Sequence, residues 1–396
     1  MRLAGRHVVL GVSGGIACYK SCTLARRLAE EGAAVDVVMT AGATEFVRPL
    51  TFEALTGRPV VTSLWERGRA LAHVELAKHP DLVVVAPATA QLLARAAQGL
   101  ADDFLTALLV ARSGPVLAAP AMNDAMYAHP ATQANLRTLA ARGWTLVGPE
   151  IGPLAEGPSE RPGRMSEPET ILATVHRLLA TPGPWRGRHV VVTAGPTREH
   201  LDPVRVLTNP SSGRMGFALA EAALARGATV TLITGPTELP PPPGADVVRI
   251  ESTEDLRREV QRALGGASAL FMAAAPADFR PAARAAAKRP RTKGRLTLAL
   301  VPTHDVLAAL KRPAGCVMVG FALETGDGLA HARRKLRDKR LDVIVLNDAL
   351  EPGAGFEVRT NKVTIVTREG EPVALPLLSK RDVADRILDA AAPRLS

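Results

Sequence analysis

An α/β protein of two domains, each a three-layer arrangement on a mainly parallel sheet, is the fold class this sequence predicts. Three observations carry that expectation. Short apolar runs alternate with stretches of helical periodicity, the pattern of a doubly wound sheet. The segment Gly5-Arg6-His7-Val8-Val9-Leu10-Gly11-Val12-Ser13-Gly14-Gly15 is echoed by Gly187-Arg188-His189-Val190-Val191-Val192-Thr193-Ala194-Gly195-Pro196-Thr197, each a β-branched run ending in a small-residue turn, as a strand buried on both faces requires. Between them Thr181-Pro182-Gly183-Pro184-Trp185 is a linker by composition. The domains so defined, 1–180 and 186–396, are both Rossmann-like, and the length of 396 residues suits two domains at roughly 150 residues each.

In the first domain, strands are expected at Val8–Val12, Ala34–Met39, Leu82–Ala86, Val116–Ala119 and Thr145–Val147, with helices at Gly15–Glu31, Ala88–Ala97, Phe104–Ala111 and Pro130–Arg142. The second domain repeats the scheme with strands near Val190–Thr193, Thr229–Thr234, Leu270–Ala274, Val317–Gly320 and Val343–Leu346. It ends differently: Val358–Thr360 and Lys362–Val366 flank an Asn and read as a hairpin, ahead of a final helix from Lys380. Pro240-Pro241-Pro242-Pro243 is a stiff surface connection.

Composition narrows the function classes. With 47% hydrophobic, 22% charged and 3% aromatic residues, the chain reads as an ordinary soluble globular protein. No stretch approaches the ~18 apolar residues of a membrane span, and the start lacks a signal-peptide core, so a cytoplasmic address is expected. Cys18, Cys22 and Cys316 supply neither a disulfide framework nor metal-ligand spacing. The formal charge of +10 favours anionic partners. The basic residues are nonetheless scattered rather than gathered in a stripe with aromatics, so no nucleic-acid partner is expected. Lys288-Arg289-Pro290-Arg291-Thr292-Lys293 reads as a basic loop.

The loops expected at the carboxyl ends of the strands hold the candidate chemistry. Ser13-Gly14-Gly15-Ile16-Ala17 follows the first strand and opens a helix, where small residues let backbone approach an anion. Without a GxGxxG pattern the same residues also suit a plain tight turn. Ala86-Pro87-Ala88-Thr89-Ala90 and Ala119-Pro120-Ala121-Met122-Asn123-Asp124-Ala125-Met126-Tyr127 leave the same edge. His73 is the first-domain histidine placed for proton transfer. In the second domain, Gly195-Pro196-Thr197-Arg198-Glu199 and Leu201-Asp202-Pro203-Val204-Arg205 precede Asn209-Pro210-Ser211-Ser212-Gly213-Arg214-Met215-Gly216, which starts a helix able to hold a phosphate. The loop Ala273-Ala274-Ala275-Pro276-Ala277-Asp278 leaves another strand end near Lys288. Basic side chains over a small-residue edge suit a nucleoside triphosphate with Mg²⁺ bridging its phosphates and no assigned protein ligand; there is no Walker A sequence.

Taken together, these motifs resemble the bifunctional enzymes of coenzyme A biosynthesis in which a phosphopantothenoylcysteine decarboxylase is fused to a phosphopantothenate–cysteine ligase. Ser-Gly-Gly-Ile-Ala, His-Val-Glu-Leu, Ala-Pro-Ala-Thr-Ala and Pro-Ala-Met-Asn-x-x-Met-Tyr look like the flavin module; Thr-Ala-Gly-Pro-Thr-Arg-Glu, Asp-Pro-Val-Arg and Asn-x-Ser-Ser-Gly-x-Met-Gly look like the ligase module. The resemblance runs nearly end to end and makes the N-terminal fold flavoprotein-like.

It implies that the second half activates 4′-phosphopantothenate with CTP as an acyl-cytidylate, from which L-cysteine displaces CMP. Asn209 would hold the acyl-cytidylate, and Ser211, Ser212 and Gly213 would bind substrate. Ala273, Ala274, Asp278, Lys288, Asp305, Phe321, Lys335 and Lys339 would contact CTP, with Lys288 on the triphosphate. The first half would use FMN to oxidise the cysteinyl thiol to a thioaldehyde, lose CO₂ and return the electrons, giving 4′-phosphopantetheine. His73 would be catalytic, Met122 and Asn123 would bind substrate, and Ser13, Gly14, Gly15, Thr40, Thr89 and Asp102 would contact FMN. The same resemblance implies a homo-oligomer, with trimers of the flavin domain, dimers of the ligase domain and a dodecamer overall.

One departure bears on the chemistry. The family's substrate lid reads Gly-x-x-Ala-Cys-Gly and its cysteine gives the final proton, whereas Gly152-Pro153-Leu154-Ala155-Glu156-Gly157 carries Glu156 there, ahead of Gly163-Arg164-Met165. A carboxylate in water is ionised at neutral pH, so Glu156 serves as the acid only when desolvated by lid closure; otherwise water supplies the proton. Pro210 and Arg214 stand where His and Lys are common. The departure leaves two other readings: a ligase whose first half stops short of the final reduction, and a flavin-binding regulatory protein.

Overall fold

The computed structural model describes residues 2–65, 71–180, 183–288, 290, 297–324, 328–348, 358 and 360–395. Its chain divides into two compact units, Met1–Ala180 and Thr181–Ser396. Most of the basic loop read at Lys288–Lys293, together with Thr181 and Pro182 of the linker, lies outside the described residues.

The first unit is built on five strands, β1 (His7–Val12), β2 (Ala34–Met39), β3 (Leu82–Ala88), β4 (Val116–Pro120) and β5 (Thr145–Leu146), all parallel in the order β2-β1-β3-β4-β5. β3 shows why the sheet is central: every residue of Leu-Val-Val-Val-Ala-Pro-Ala is buried. Leu82 and Val84 pack with Leu24, Leu28, Phe52, Ile171 and Val175 in one helical layer, while Val83 and Val85 pack with Leu93, Leu105, Leu108 and Leu139 in the other. This order reverses direction between β1 and β3, and the crevice outside the carboxyl ends of those strands is where doubly wound sheets take ligands.

The second unit has an eight-stranded sheet. In chain order its strands are β6 (His189–Ala194), β7 (Thr229–Thr234), β8 (Ala245–Arg249), β9 (Ala269–Met272), β10 (Val317–Glu324), β11 (Val343–Asp348), β12 (Val363–Thr367) and β13 (Val373–Ala374), arranged β8-β7-β6-β9-β10-β11-β12-β13. The first six are parallel; β12 runs antiparallel to β11 and to β13. Helices α1 (Arg214–Ala225) and α2 (Lys380–Ala391) pack together on one face, burying Phe217, Leu219, Ile387 and Leu388 against Val190, Val192 and Phe271. Helices Thr253–Ala263 and Gly328–Asp338 cover the other with Leu256, Val260 and Leu336. The switch point falls between β6 and β9.

Two expectations are corrected. Val358–Thr360 and Lys362–Val366 do not form a hairpin with each other: Thr360–Asn361 pairs with Leu378–Ser379, and β12 is held by β11 and β13, while Arg359 lies outside the described residues. The first helix begins at Cys18 rather than Gly15. Residues 13–17 are needed for a turn that brings Gly14 against Gly42, where a Cβ would stand 2.6 Å from the Gly42 carbonyl carbon.

Candidate functional site

In the first unit three loops meet at the switch point. The Ser13 hydroxyl donates to the Pro87 carbonyl at 2.7 Å and lies 3.1 Å from the Thr89 hydroxyl, and it accepts the Thr89 amide at 3.0 Å. Thr89 caps Ala90–Gln98 by accepting the Leu92 amide, and Thr40 caps Ala41–Thr44 by accepting the Ala43 amide. Gly15 lies against Thr89, where a Cβ would meet its methyl at 3.5 Å. No side chain caps the helix Cys18–Glu30 at Ala17. Hydroxyls, small residues and an uncapped helix start therefore share one edge, a donor-rich setting for a phosphate. Asp102 is exposed and pairs with Arg95; no described hydrogen bond carries it to the Ser13 loop.

A second cluster forms around the loop after β4. Asn123 caps Asp124–Ala128: its Oδ1 accepts the Ala125 and Met126 amides at 2.8 and 3.3 Å. Its Nδ2 donates to Glu156 Oε1. Residues 150–164 form the antiparallel pair Glu150–Ile151 and Pro162–Arg164, with Glu156 in the connecting loop. Two ties hold it: the Met122 amide donates to the Gly163 carbonyl at 3.0 Å, and the Ser159 hydroxyl donates to Asp124 Oδ2 at 2.6 Å. Gly163 is needed because a Cβ there would stand 2.6 Å from the Met122 carbonyl oxygen. The structure thus puts Met122, Asn123 and Glu156 together.

His73 lies on the helix Ala72–Lys78, edge-on to Phe104 at 6.2 Å, with Nδ1 buried and unpartnered among the described residues. No described contact joins it to Asn123 or Glu156.

The second unit holds a cavity of about 430 Å³ at the β6/β9 edge. Loops 195–197 and 274–277 are laced over it: Pro196 bridges Ala275, the Ala277 amide donates to the Thr197 hydroxyl at 2.9 Å, and the Ala274 amide donates to the Thr193 hydroxyl at 3.0 Å. Asn209 is fixed to this lacing, its Nδ2 donating to the Pro276 carbonyl at 2.9 Å. Gly213, at φ +76°, turns the chain into α1; a Cβ there would stand 2.9 Å from the Thr237 methyl. Lys335 donates to the Phe321 carbonyl at 2.9 Å and Lys339 pairs with Asp305 at 3.0 Å. Desolvation is the largest single influence on Asp305 and opposes its charge, but the hydrogen bonds from Lys339 and the Ala308 amide, together with the Lys339 and Lys335 charges, outweigh it and hold the carboxyl below its usual range.

Eleven of the residues read from the sequence line this cavity: Asn209, Ser211, Ser212, Gly213, Ala273, Ala274, Asp278, Asp305, Phe321, Lys335 and Lys339. Lys288 is exposed and does not line it. Sequence reading assigned no role to Lys380, Asn347 or Asn361, which do line it. Lys380 is 7% exposed at the first position of α2, and burial, aided by Arg214, pushes its ammonium down to about 8. A lysine in a first helical turn, where the dipole disfavours cations, was the available signal. Among the described residues no cluster of three or more His, Cys, Asp or Glu could hold a metal ion, and no helix is long and apolar enough to cross a membrane.

Comparison with known proteins agrees with this division. Residues 2–180 match the Flavoprotein family model, and residues 185–394 match the DNA/pantothenate metabolism flavoprotein C-terminal domain. The Coenzyme A biosynthesis bifunctional protein CoaBC of Bacillus subtilis is 44% identical over 396 residues, covering 98% of this chain and 97% of that protein. That of Mycobacterium tuberculosis is 46% identical over 402 residues, covering 97% and 96%. A crystal structure of the C-terminal domain of a CoaBC protein is 36% identical, covering 54% of this chain and 97% of its own, with a TM-score of 0.45. With the two domains in this order and the likeness unbroken from end to end, the chain belongs to the CoaBC family of bifunctional coenzyme A biosynthesis proteins.

Proposed function

We propose that the C-terminal unit joins L-cysteine to 4′-phosphopantothenate using CTP, and that the N-terminal unit decarboxylates the product to 4′-phosphopantetheine using FMN, in the cytoplasm. The observation that supports this best is the single cavity gathering the Asn209–Gly213 loop, the Ala273–Asp278 loop and the Lys335/Lys339 face.

In the ligase half-reaction a substrate carboxylate oxygen attacks the α-phosphorus of CTP and pyrophosphate leaves. Lys335 and Lys339 offset the charge that develops; Lys288, which does not line the cavity, would have to swing in to reach the triphosphate, and Mg²⁺ brought in with CTP would add further charge neutralisation there. Asn209 holds the acyl-cytidylate, and the amides entering α1 after Ser211-Ser212-Gly213 take an anionic group of the substrate.

The first unit fits a flavin mononucleotide, because Ser13, Thr40 and Thr89 hydroxyls and the Gly14–Gly15 backbone gather beside an uncapped helix start. Bound there, FMN supplies reversible oxidation of the substrate thiol, which turns the neighbouring carbon into an electron sink. Asn123 orients the departing carboxylate. Glu156 is exposed and accepts a hydrogen bond from Asn123, which favours its ionised form, so it protonates the enethiolate carbon in place of the usual cysteine only once closure over the substrate desolvates it; otherwise water supplies that proton. His73 moves the thiol-side proton; a trimer with its active site between subunits would bring His73 of one copy to Asn123 of the next, and a paired ligase unit would complete a dodecamer. The regulatory and half-finished readings are not favoured, since the curated relatives match over both halves.

Mass spectrometry of a reaction with 4′-phosphopantothenate, cysteine, CTP, Mg²⁺ and FMN tests the proposal. It requires 4′-phosphopantetheine and CMP together. Accumulated 4′-phosphopantothenoylcysteine, or a product two hydrogens lighter than 4′-phosphopantetheine, would refute the decarboxylase half, and absence of any product would refute both.

A further inference from the structure

One wall of the ligase cavity has no assigned purpose. Arg214 and Lys380 stand at the N-termini of the packed helices α1 and α2, close enough for Arg214 to act on the Lys380 charge. The Arg214 guanidinium makes no hydrogen bond or ion pair among the described residues, and its Nε is buried. Asn347 Oδ1, from β11, is likewise buried and unpartnered among the described residues. An unpaired buried polar atom is unfavourable, and that cost is removed when a complementary ligand arrives. An orphan guanidinium donor, an orphan amide acceptor and a desolvated amine together complement a zwitterionic α-amino acid.

We propose that this corner is the amino-acid subsite of the ligase, in which Arg214 takes the carboxylate, Asn347 accepts from the α-ammonium, and Lys380 is the general base that takes the ammonium proton. The inference rests on the ligase reading above. The freed amine attacks the acyl carbon, a C–N bond forms, and the C–O bond to CMP breaks with its electron pair leaving on the CMP phosphate. The first ammonium proton goes to neutral Lys380; the second leaves the new amide nitrogen for water. Besides Arg214, the charged groups that share the cavity with Lys380 are Asp278, Asp305, Lys335 and Lys339, while on its own helix Asp382 bonds Ser379 and Arg381 faces Glu221 and Asp385.

The two half-reactions separate the test. In single turnovers with CTP and 4′-phosphopantothenate, Lys380→Met should still release pyrophosphate, but amide formation on adding cysteine should fall about 100-fold, the low end for general-base catalysis, without rescue by Lys380→Arg. Arg214→Gln should raise the KM for cysteine at least tenfold and leave that for CTP unchanged. In the wild type the amide-forming rate should climb through pH about 8, as the Lys380 value requires, while pyrophosphate release does not. Wild-type amide formation in Lys380→Met, a KM change confined to CTP in Arg214→Gln, or a pH-independent amide step in the wild type would overturn the proposal. The last holds even if a variant fails to fold, and loss of pyrophosphate release in the wild type would overturn the ligase reading instead.

Discussion

Replacing Asn123 by Asp separates two jobs that one amide performs. Its Oδ1 caps Asp124–Ala128 and its Nδ2 donates to Glu156, so aspartate keeps a capping oxygen but turns a donor into a second carboxylate. A hydrogen bond to a charged group contributes about 1.5–3 kcal/mol, and the exposure of Glu156 points to the lower figure. A loss of about 1.5 kcal/mol is roughly a tenfold rise in the open population of the 150–164 segment. Hydrogen exchange should therefore quicken about tenfold across those amides while protection of 124–128 is retained. Asn123→Ala should loosen both, because the cap is worth about another 1 kcal/mol. Unchanged exchange of 150–164 in Asn123→Asp would refute the coupling of Asn123 to that segment.

Three further outcomes follow from close contacts and burial. Gly14→Ala drives a Cβ to 2.6 Å from the Gly42 carbonyl carbon, an overpacking of about 1–3 kcal/mol at the switch point, and should strip visible flavin absorbance from the purified protein while CTP-dependent pyrophosphate release persists; full flavin content would refute it. Gly213→Ala strains a left-handed residue by about 1–2 kcal/mol and presses on Thr237, so the ligase reaction should fall with flavin content intact, as activity and absorbance measured together would show. Lys380 sits at about 8 against an ordinary 10.5, so the folded state binds fewer protons between those values and stability rises with pH across that window. Relative to Lys380→Met, the wild type should gain about 3 kcal/mol of unfolding free energy between pH about 7 and about 11, and denaturant titrations showing a constant difference would contradict the burial argument.

The sheet strands were legible because runs such as Val190–Thr193 and Leu82–Ala86 are buried on both faces and need no partner identity to be recognised. Pairing was harder to read. Thr360–Asn361 finds Leu378–Ser379, and nothing in a two-residue strand names its partner. The edge strand Ala245–Arg249 was missed because Asp246 and Arg249 break its apolar run just after the prolines. Loop residues of the two sites were legible as small-residue turns after strands. The Asn123–Glu156 contact was not, since it joins loops 33 residues apart with no periodicity between them. Lys380 was hidden behind the Ser379–Asp382 cap, which reads as an ordinary helix start.

The reversed strands β12 and β13 have a consequence in parity. β11 ends at the ligand edge, β12 leads the chain away from it, and β13 leads it back, so Leu378–Ser379 returns beside Thr360–Asn361 before α2 begins. Two reversals cancel. α2 therefore starts at the same edge as α1, and the two point alike-signed ends at one cavity. One extra strand instead of two would have presented the carbonyl end of the last helix to the substrates, inverting the local potential and leaving Lys380 on the opposite side of the sheet from the chemistry.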